Sequence, residues 1–252
     1  MIKNILDIKN LNVIVDKNII INNLNLTIGK GEIHVIMGPN GSGKSTLSKI
    51  LVGHPSYQIL DGQINFFNEN LLYLSPEERS HKGLFLAFQY PLEIHGITNY
   101  EFLRTIYNEK QKYLKKEEIT PLEFANYIQK FTKKLNLKES FLLRNLNEGF
   151  SGGEKKRNEI LQMLLLKPKL AILDEIDSGV DIDALKIISK SILNIKKENK
   201  KFSLLIITHY PKILEYLNPD YIHVMINGNF VYSGNSSIIK DINKHGYNIF
   251  NK

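Results

Sequence analysis

Gly38-Pro39-Asn40-Gly41-Ser42-Gly43-Lys44-Ser45 fits the pattern G-x-x-x-x-G-K-[ST]. It lies between an apolar run, Ile33-His34-Val35-Ile36-Met37, and a helical stretch, Thr46-Leu47-Ser48-Lys49-Ile50-Leu51-Val52. A buried strand, a glycine-rich loop and a helix in that order make a phosphate-binding loop. The glycines let successive backbone N–H groups curl around phosphate oxygens with no Cβ in the way, and the helix N-terminus adds partial positive charge. Gly38, Pro39, Asn40, Gly41, Ser42, Gly43, Lys44, Ser45 and Thr46 are therefore the expected phosphate-binding set. Lys44 is expected to reach the terminal phosphates from a solvent-accessible position, and Ser45 to offer its hydroxyl to a magnesium ion. The competing reading, a chance Gly-Lys-Ser in a glycine-rich turn, has the strand and the helix against it.

Composition bounds the rest. With 252 residues, 42% hydrophobic and 23% charged, the chain is long enough for one large domain or a core with an inserted subdomain. No stretch approaches the ~20 apolar residues of a spanning helix, so direct membrane insertion is not expected. Met1-Ile2-Lys3-Asn4-Ile5-Leu6-Asp7 runs straight into a strand pattern, without a signal-peptide core or an Arg/Ser-rich transit sequence. The expectation is a cytoplasmic protein, the alternative a processed form in the stroma of a bacterium-derived organelle. The absence of cysteine excludes disulfides, thiolate metal sites and direct Cys ligation of an iron–sulfur cluster. The net charge of +7 would permit nucleic-acid binding. The densest lysine patch, Lys110 to Lys134, alternates with Glu109, Glu117, Glu118 and Glu123 as solvated helices do, so no nucleic-acid partner is expected.

Strand patterns open the chain: Asp7 to Val15, a turn at Asp16-Lys17-Asn18, then Ile19 to Ile21 and Leu24 to Ile28, an antiparallel layer beside the core. Gly62 to Phe67 reads as a further strand. Ser75-Pro76-Glu77-Glu78-Arg79 starts a short helix, and Leu84 to Phe88 reads as a buried strand ending at Gln89. From Leu92 to Asn147 the period turns helical, with Tyr100, Phe102, Tyr107, Tyr113, Phe124, Tyr127 and Phe131 as a stripe suited to core packing. Residues 92–147 are expected to be a helical subdomain inserted between 1–91 and 148–252 of a single domain. A helix from Ser151-Gly152-Gly153-Glu154 to Leu166, a strand Leu170 to Glu175, a helix Ile182 to Glu198 and a strand Ser203 to Thr208 give the alternation of a parallel sheet. Asn227-Gly228 marks a closing hairpin.

Two acids tip the strand that ends at Glu175. Behind a phosphate-binding loop, Asp174 falls near Ser45 and the water shell of the metal, and Glu175 where it polarises a water attacking a γ-phosphate. A capping acid pair after a strand is the alternative on these residues alone.

Gln89 at a strand end, Ser151 to Glu154, Leu170 to Glu175, Asp181 and His209 follow the loop in the order found in ATP-binding-cassette ATPases, and the resemblance covers essentially the whole chain. It implies an α/β fold of ABC ATPase type, a P-loop parallel-sheet core with an antiparallel β layer and the helical insertion, hydrolysing ATP with Mg2+. It also implies that Gln89 contacts the metal and the attacking water, that His209 senses the γ-phosphate and that Glu175 is catalytic. Ser45, Gln89 and Asp174 would surround the magnesium, Asp174 through its waters. Ser151, Gly152, Gly153 and Glu154 would be the signature motif that caps a nucleotide on a second copy of the chain, and Asp181 part of the loop at that contact. A plain S-x-x-E capping box is compatible with the same residues.

The match narrows over Ala87-Phe88-Gln89-Tyr90-Pro91, Gly149 to Asn158, Asp181 to Lys186 and Thr208-His209-Tyr210. These resemble the SufC family, the ATPases of the SUF system of iron–sulfur cluster assembly. That resemblance implies SufB-like and SufD-like scaffold partners, remodelled when two copies join on ATP. The rival is the nucleotide-binding subunit of an ABC membrane transporter, which shares every catalytic motif. Many cassette ATPases stack adenine on an aromatic residue of the first hairpin. Val13 to Ile21 holds none, so base recognition is expected to rest on apolar contact, and ATP against GTP stays open.

Overall fold

The computed structural model describes residues 3–209 and 211–250. Met1, Ile2 and Tyr210, which entered the readings above, lie outside the described residues. Strands β1 (Asn4–Val15) and β2 (Asn18–Gly29) form a long hairpin that buries Leu6, Ile8, Leu11 and Val13 against Ile21, Leu24, Leu26 and Ile28. Asp16 and Lys17 turn it with φ of 47° and 69°, the left-handed geometry that matches strand twist. The chain then enters β3 (Ile33–Met37) and helix α1 (Lys44–Leu51), which begins two residues earlier than the periodicity indicates. β4 (Gln58–Phe66) returns antiparallel to β1, with β5 (Glu69–Asn70) at its edge, giving a layer of order β2-β1-β4-β5.

Helix α2 (Pro76–Lys82) starts where Ser75 and Glu78 form a full capping box. Its Arg79 is buried and donates to the carbonyls of Ile50, Leu51, Leu71 and Leu74, among them the last two of α1. β6 (Leu84–Ala87) stops at Ala87, short of the expected Gln89, and Phe88 is 46% exposed.

β7 (Ile94–Thr98) and β8 (Asn145–Leu146) pair with each other at the two ends of an insertion that carries α3 (Asn99–Tyr113), α4 (Pro121–Lys134) and α5 (Ser140–Leu143). Capping boxes at Thr98 and Thr120 start the two long helices. The aromatic stripe packs as core: Phe124 and Phe131 are buried, and Tyr100, Tyr107 and Tyr127 ring them at centroid distances of 5.3 to 5.9 Å. Tyr113 is the exception, half exposed and stacked on His81.

Helix α6 (Gly152–Leu166), β9 (Leu170–Asp174), α7 (Ile182–Glu198), β10 (Ser203–Ile207), β11 (Tyr221–Ile226), β12 (Asn229–Gly234) and α8 (Ile238–His245) follow; α8, with Ile238, Ile239 and Ile242 on one face, was not among the expected helices. The second sheet has the order β12-β11-β3-β10-β9-β6, parallel except for β12. Its central strands are apolar on both faces, as a covered parallel sheet requires. Val35, Ala171, Leu173, Leu204 and Ile206 face a core built with α6, α7 and the insertion. Ile36, Leu170, Ile172, Leu205 and Ile207 face the antiparallel layer and α1. The loops after β3, β6, β9 and β10 thus leave from one end of the sheet, where a ligand crevice belongs.

Candidate functional site

At that end the loop after β3 carries Gly43 as the N-cap of α1, at φ +102°. A Cβ there would lie 2.9 Å from the Ile20 carbonyl, so glycine meets both a conformational and a steric demand. Lys44 is 4% exposed, which corrects the expectation of a solvent-accessible lysine. Its Nζ donates to the carbonyls of Gly38 (2.9 Å) and Pro39 (2.8 Å) and to Ser42 Oγ (3.4 Å), so its three donors are all engaged by its own loop. Burial pulls its pKa down, and the charges of Glu175 and Asp174 oppose that pull.

β9 ends on Asp174, whose Oδ1 accepts from Ser45 Oγ (3.2 Å) and whose Oδ2 accepts from Ser48 Oγ (2.7 Å). The expected approach to Ser45 is met. Burial raises the pKa of Asp174, and the two serine hydroxyls work the other way. Glu175 leaves the strand at φ +48°, a region that side-chain-bearing residues seldom occupy, while its N–H still bonds the Ile207 carbonyl at 2.8 Å. That turn sets its carboxylate between Gln89 Nε2, which donates to Oε2 at 2.5 Å, and His209 Nδ1, 3.2 Å from Oε1. Gln89, Glu175 and His209, expected from three separate stretches, therefore meet. On the same turn Thr208 Oγ1 donates to Asp177 Oδ2 at 2.8 Å.

Two residues to which the sequence gave no role, Lys156 within the Gly149 to Asn158 stretch and Glu159 just after it, fix Gln89 from behind. Lys156 Nζ donates to the carbonyls of Phe88 (3.1 Å) and Gln89 (2.7 Å), and Glu159 Oε2 accepts from the Phe88 N–H (3.1 Å). This also explains why β6 ends early, because side chains of α6 take the Phe88 backbone groups that a continuing ladder would use. Burial pushes the Glu159 carboxyl up to about 7 and pulls the Lys156 ammonium down. The available signal was a Lys and a Glu three apart among the apolar positions Ile160 and Met163 of one helix. Below them Asn158 accepts from Asn99 (3.1 Å) and donates to Asn147 (3.0 Å), which donates to the Leu92 carbonyl (2.8 Å).

The N-terminus of α6 lies elsewhere. Ser151 Oγ accepts from the Glu154 N–H (3.2 Å) and Glu154 Oε2 from the Ser151 N–H (2.8 Å), so the capping box is present; Arg144 pairs with Glu154 at 3.2 Å. A Cβ on Gly152 would lie 2.8 Å from the Gly179 carbonyl, so the two loops touch there. Asp181 caps α7 through the Ala184 N–H at 2.7 Å. A cleft of about 630 Å³ is lined by Asn40 to Thr46, Gln89, Glu175 and His209, with Val15, Ile20, Tyr57, Tyr90 and Ser178. Ser151, Gly152, Gly153, Glu154 and Asp181 are not among its lining residues.

The Ser45 hydroxyl and the Asp174 carboxylate are hard oxygen donors of the kind magnesium takes alongside nucleotide phosphates. Among the described residues no three His, Cys, Asp or Glu gather to hold a metal by themselves, so the donor set fits an ion that arrives with a nucleotide.

The ABC transporter family matches residues 21–178 of the chain. A probable ATP-dependent transporter, ycf16, of Trieres chinensis is 56% identical over 96% of this chain and 96% of its own. ABC transporter I family member 6, chloroplastic, of Arabidopsis thaliana is 45% identical over 96% of this chain and 72% of its own. The crystal structure of a nucleotide-free ATP-binding cassette from an ABC transporter superposes with a TM-score of 0.74 at 25% identity, covering 96% of this chain and 95% of that one.

Proposed function

The chain belongs to the ABC transporter family, as an ATP-binding-cassette ATPase, and from that premise we propose that it is a SufC-like motor. In this reading it pairs with a second copy of itself on ATP and so remodels SufB-like and SufD-like scaffold proteins during iron–sulfur cluster assembly. The observation that carries the pairing is a division within the site. The cleft gathers the phosphate loop, Gln89, Glu175 and His209, while the signature residues Ser151 to Glu154 do not line it. A cleft that lacks its signature motif is completed by the α6 N-terminus of another copy, an anion-binding end aimed across an interface.

Within the closed pair, the backbone N–H groups of residues 38–46 and Lys44 hold the phosphates. Ser45 and Gln89, and Asp174 through its waters, would hold magnesium, which would supply neutralisation of charge on the phosphates. Glu175 orients or deprotonates the attacking water, Gln89 and His209 fix its carboxylate, and His209 also faces the γ-phosphate. Residues 92–147 act as the helical subdomain that moves with Gln89, tied to α6 through Asn99, Asn158 and Asn147.

The SufC assignment rests on the Gly149 to Asn158 and Asp181 to Lys186 motifs and on the lack of any cysteine to hold a cluster. The place of action proposed is a bacterial cytoplasm or the stroma of a bacterium-derived organelle, and the chloroplastic name of the Arabidopsis relative favours the second. The printed names of the relatives favour the rival, a transporter subunit. Among the described residues no helix is long and apolar enough to cross a membrane, and in the rival reading the permease lies outside them. Co-expression with the SufB-like and SufD-like proteins of the same host separates the two readings. The SufC reading expects a co-eluting complex in which ATP turnover per subunit rises. Recovery with a hydrophobic permease, and no complex with the scaffold proteins, would overturn it.

A further inference from the structure

The cleft has two unlike walls. The parallel sheet supplies the phosphate loop and the charged or polar groups Gln89, Glu175 and His209. The antiparallel layer supplies, among the described residues, three side chains: Val15, Ile20 and Tyr57. The first two are aliphatic. Ile20 abuts the loop, since a Cβ on Gly43 would lie 2.9 Å from its carbonyl oxygen and 3.6 Å from its Cγ2. β1 and β4 run antiparallel with Val13 opposite Ile59 and Ile14 opposite Gln58; Tyr57 directly precedes β4, and it lines the cleft together with Val15. Its half-buried ring meets His54 edge-on, with centroids 5.5 Å apart and planes at 64°.

A nucleoside triphosphate has a highly charged end and an uncharged, flat, polarisable end. The phosphates are committed to the loop, so the base is left with the wall formed by Val15, Ile20 and Tyr57. Of the two tyrosines among the described residues that line the cleft, Tyr90 directly follows Gln89 and is 80% exposed, which assigns it to the catalytic end. We propose that Tyr57 is the base-stacking residue of this ATPase, with Val15 and Ile20 flanking the base. The hairpin lacks an aromatic side chain, and the residue leading into β4 delivers one to the same wall from a different part of the sequence. Stacking reads area and polarisability more than hydrogen-bond pattern, so Tyr57 favours purines over pyrimidines and separates ATP from GTP weakly.

The inference rests on the P-loop reading, and its test keeps the two apart. Titration calorimetry on the full chain with magnesium compares ATP, CTP and inorganic tripolyphosphate, which has no base. Tyr57→Ala is expected to weaken ATP by roughly 5- to 100-fold, the range of one lost base–aromatic stack. It should leave tripolyphosphate unchanged and shrink the preference for ATP over CTP; Tyr57→Phe should restore ATP affinity. Wild-type ATP affinity in Tyr57→Ala, or an equal loss for ATP and tripolyphosphate, would overturn the assignment. Lys44→Ala in the same titration should weaken both ligands, and binding of both at full strength would instead sink the P-loop reading.

Discussion

Replacing Lys156 with Met removes a charge from the interior of α6 while nearly keeping the length of the side chain. The lysine donates to the carbonyls of Phe88 and Gln89 at 3.1 and 2.7 Å, so the variant leaves two partly buried acceptors without that partner. Hydrogen bonds from charged donors contribute roughly 1.5–3 kcal/mol each, but burial already disfavours the ammonium, so the net loss of stability is expected at about 1–3 kcal/mol. For a chain of this size that lowers Tm by several degrees, at about 2–4 °C per kcal/mol. The functional loss is larger. Gln89 is then held by the Glu159 contact to Phe88 alone, and its 2.5 Å bond to Glu175 loosens. A displacement of about 1 Å at a catalytic group can cost on the order of 10²-fold in rate. Steady-state hydrolysis at a temperature well below the variant's Tm should show kcat down by roughly 10- to 100-fold, with KM for ATP little changed because the P-loop is untouched. Lys156→Arg should recover part of kcat. A folded Lys156→Met with kcat within about twofold of wild type would refute the reasoning and leave Lys156 a structural residue only.

Lys44→Ala deletes the ammonium proposed to hold the phosphates and should lower hydrolysis by on the order of 10²-fold or more while far-UV circular dichroism stays native; a normal rate would remove Lys44 from the site. Glu159 gives a pH prediction. Burial raises its folded pKa to about 7, above the ordinary glutamate value of 4.5. Between those values the folded state holds a proton that the unfolded state has released, so stability falls as pH rises through this window and the penalty is complete above pH 7. Glu159→Gln should flatten the slope of stability from pH 5 to 7.5, by about 3 kcal/mol at most; an unchanged slope in denaturant titrations would count against a buried, proton-holding Glu159.

Local signals were legible. The P-loop, the helix start at Ser75, the capping box at Ser151, the start of α7 after Asp181 and the Asn227-Gly228 hairpin each lie within a few residues of sequence, and each forms where the pattern places it. The gathering of Gln89, Glu175 and His209 was anticipated by resemblance to a family and not by spacing, since chains 34 to 120 residues apart carry no geometric signal of their own. Other features depend on tertiary partners. Phe88 reads as strand because it is apolar, and it leaves the ladder because Lys156 and Glu159 claim its backbone. Lys44 reads as exposed because it is charged, yet its own loop carbonyls allow it to be buried. Tyr57 belongs to no sequence motif, and it comes to the cleft from just before β4, whose first residues pair with β1.

The central claim, that two copies close over ATP and that Glu175 drives the hydrolysis that parts them, is tested most directly by Glu175→Gln. The amide keeps the size of the side chain and can still accept from Gln89 through its oxygen, while its NH2 faces His209 Nδ1. Loss of the negative charge should lower turnover by roughly 10²- to 10⁴-fold, the contribution of a positioned general base. Light scattering of the subunit at high concentration, with ATP and magnesium, should then show a stable dimer for Glu175→Gln where the wild type returns to monomer as ATP is consumed. A variant that hydrolyses ATP as fast as the wild type, or that stays monomeric while saturated with ATP, would contradict the account.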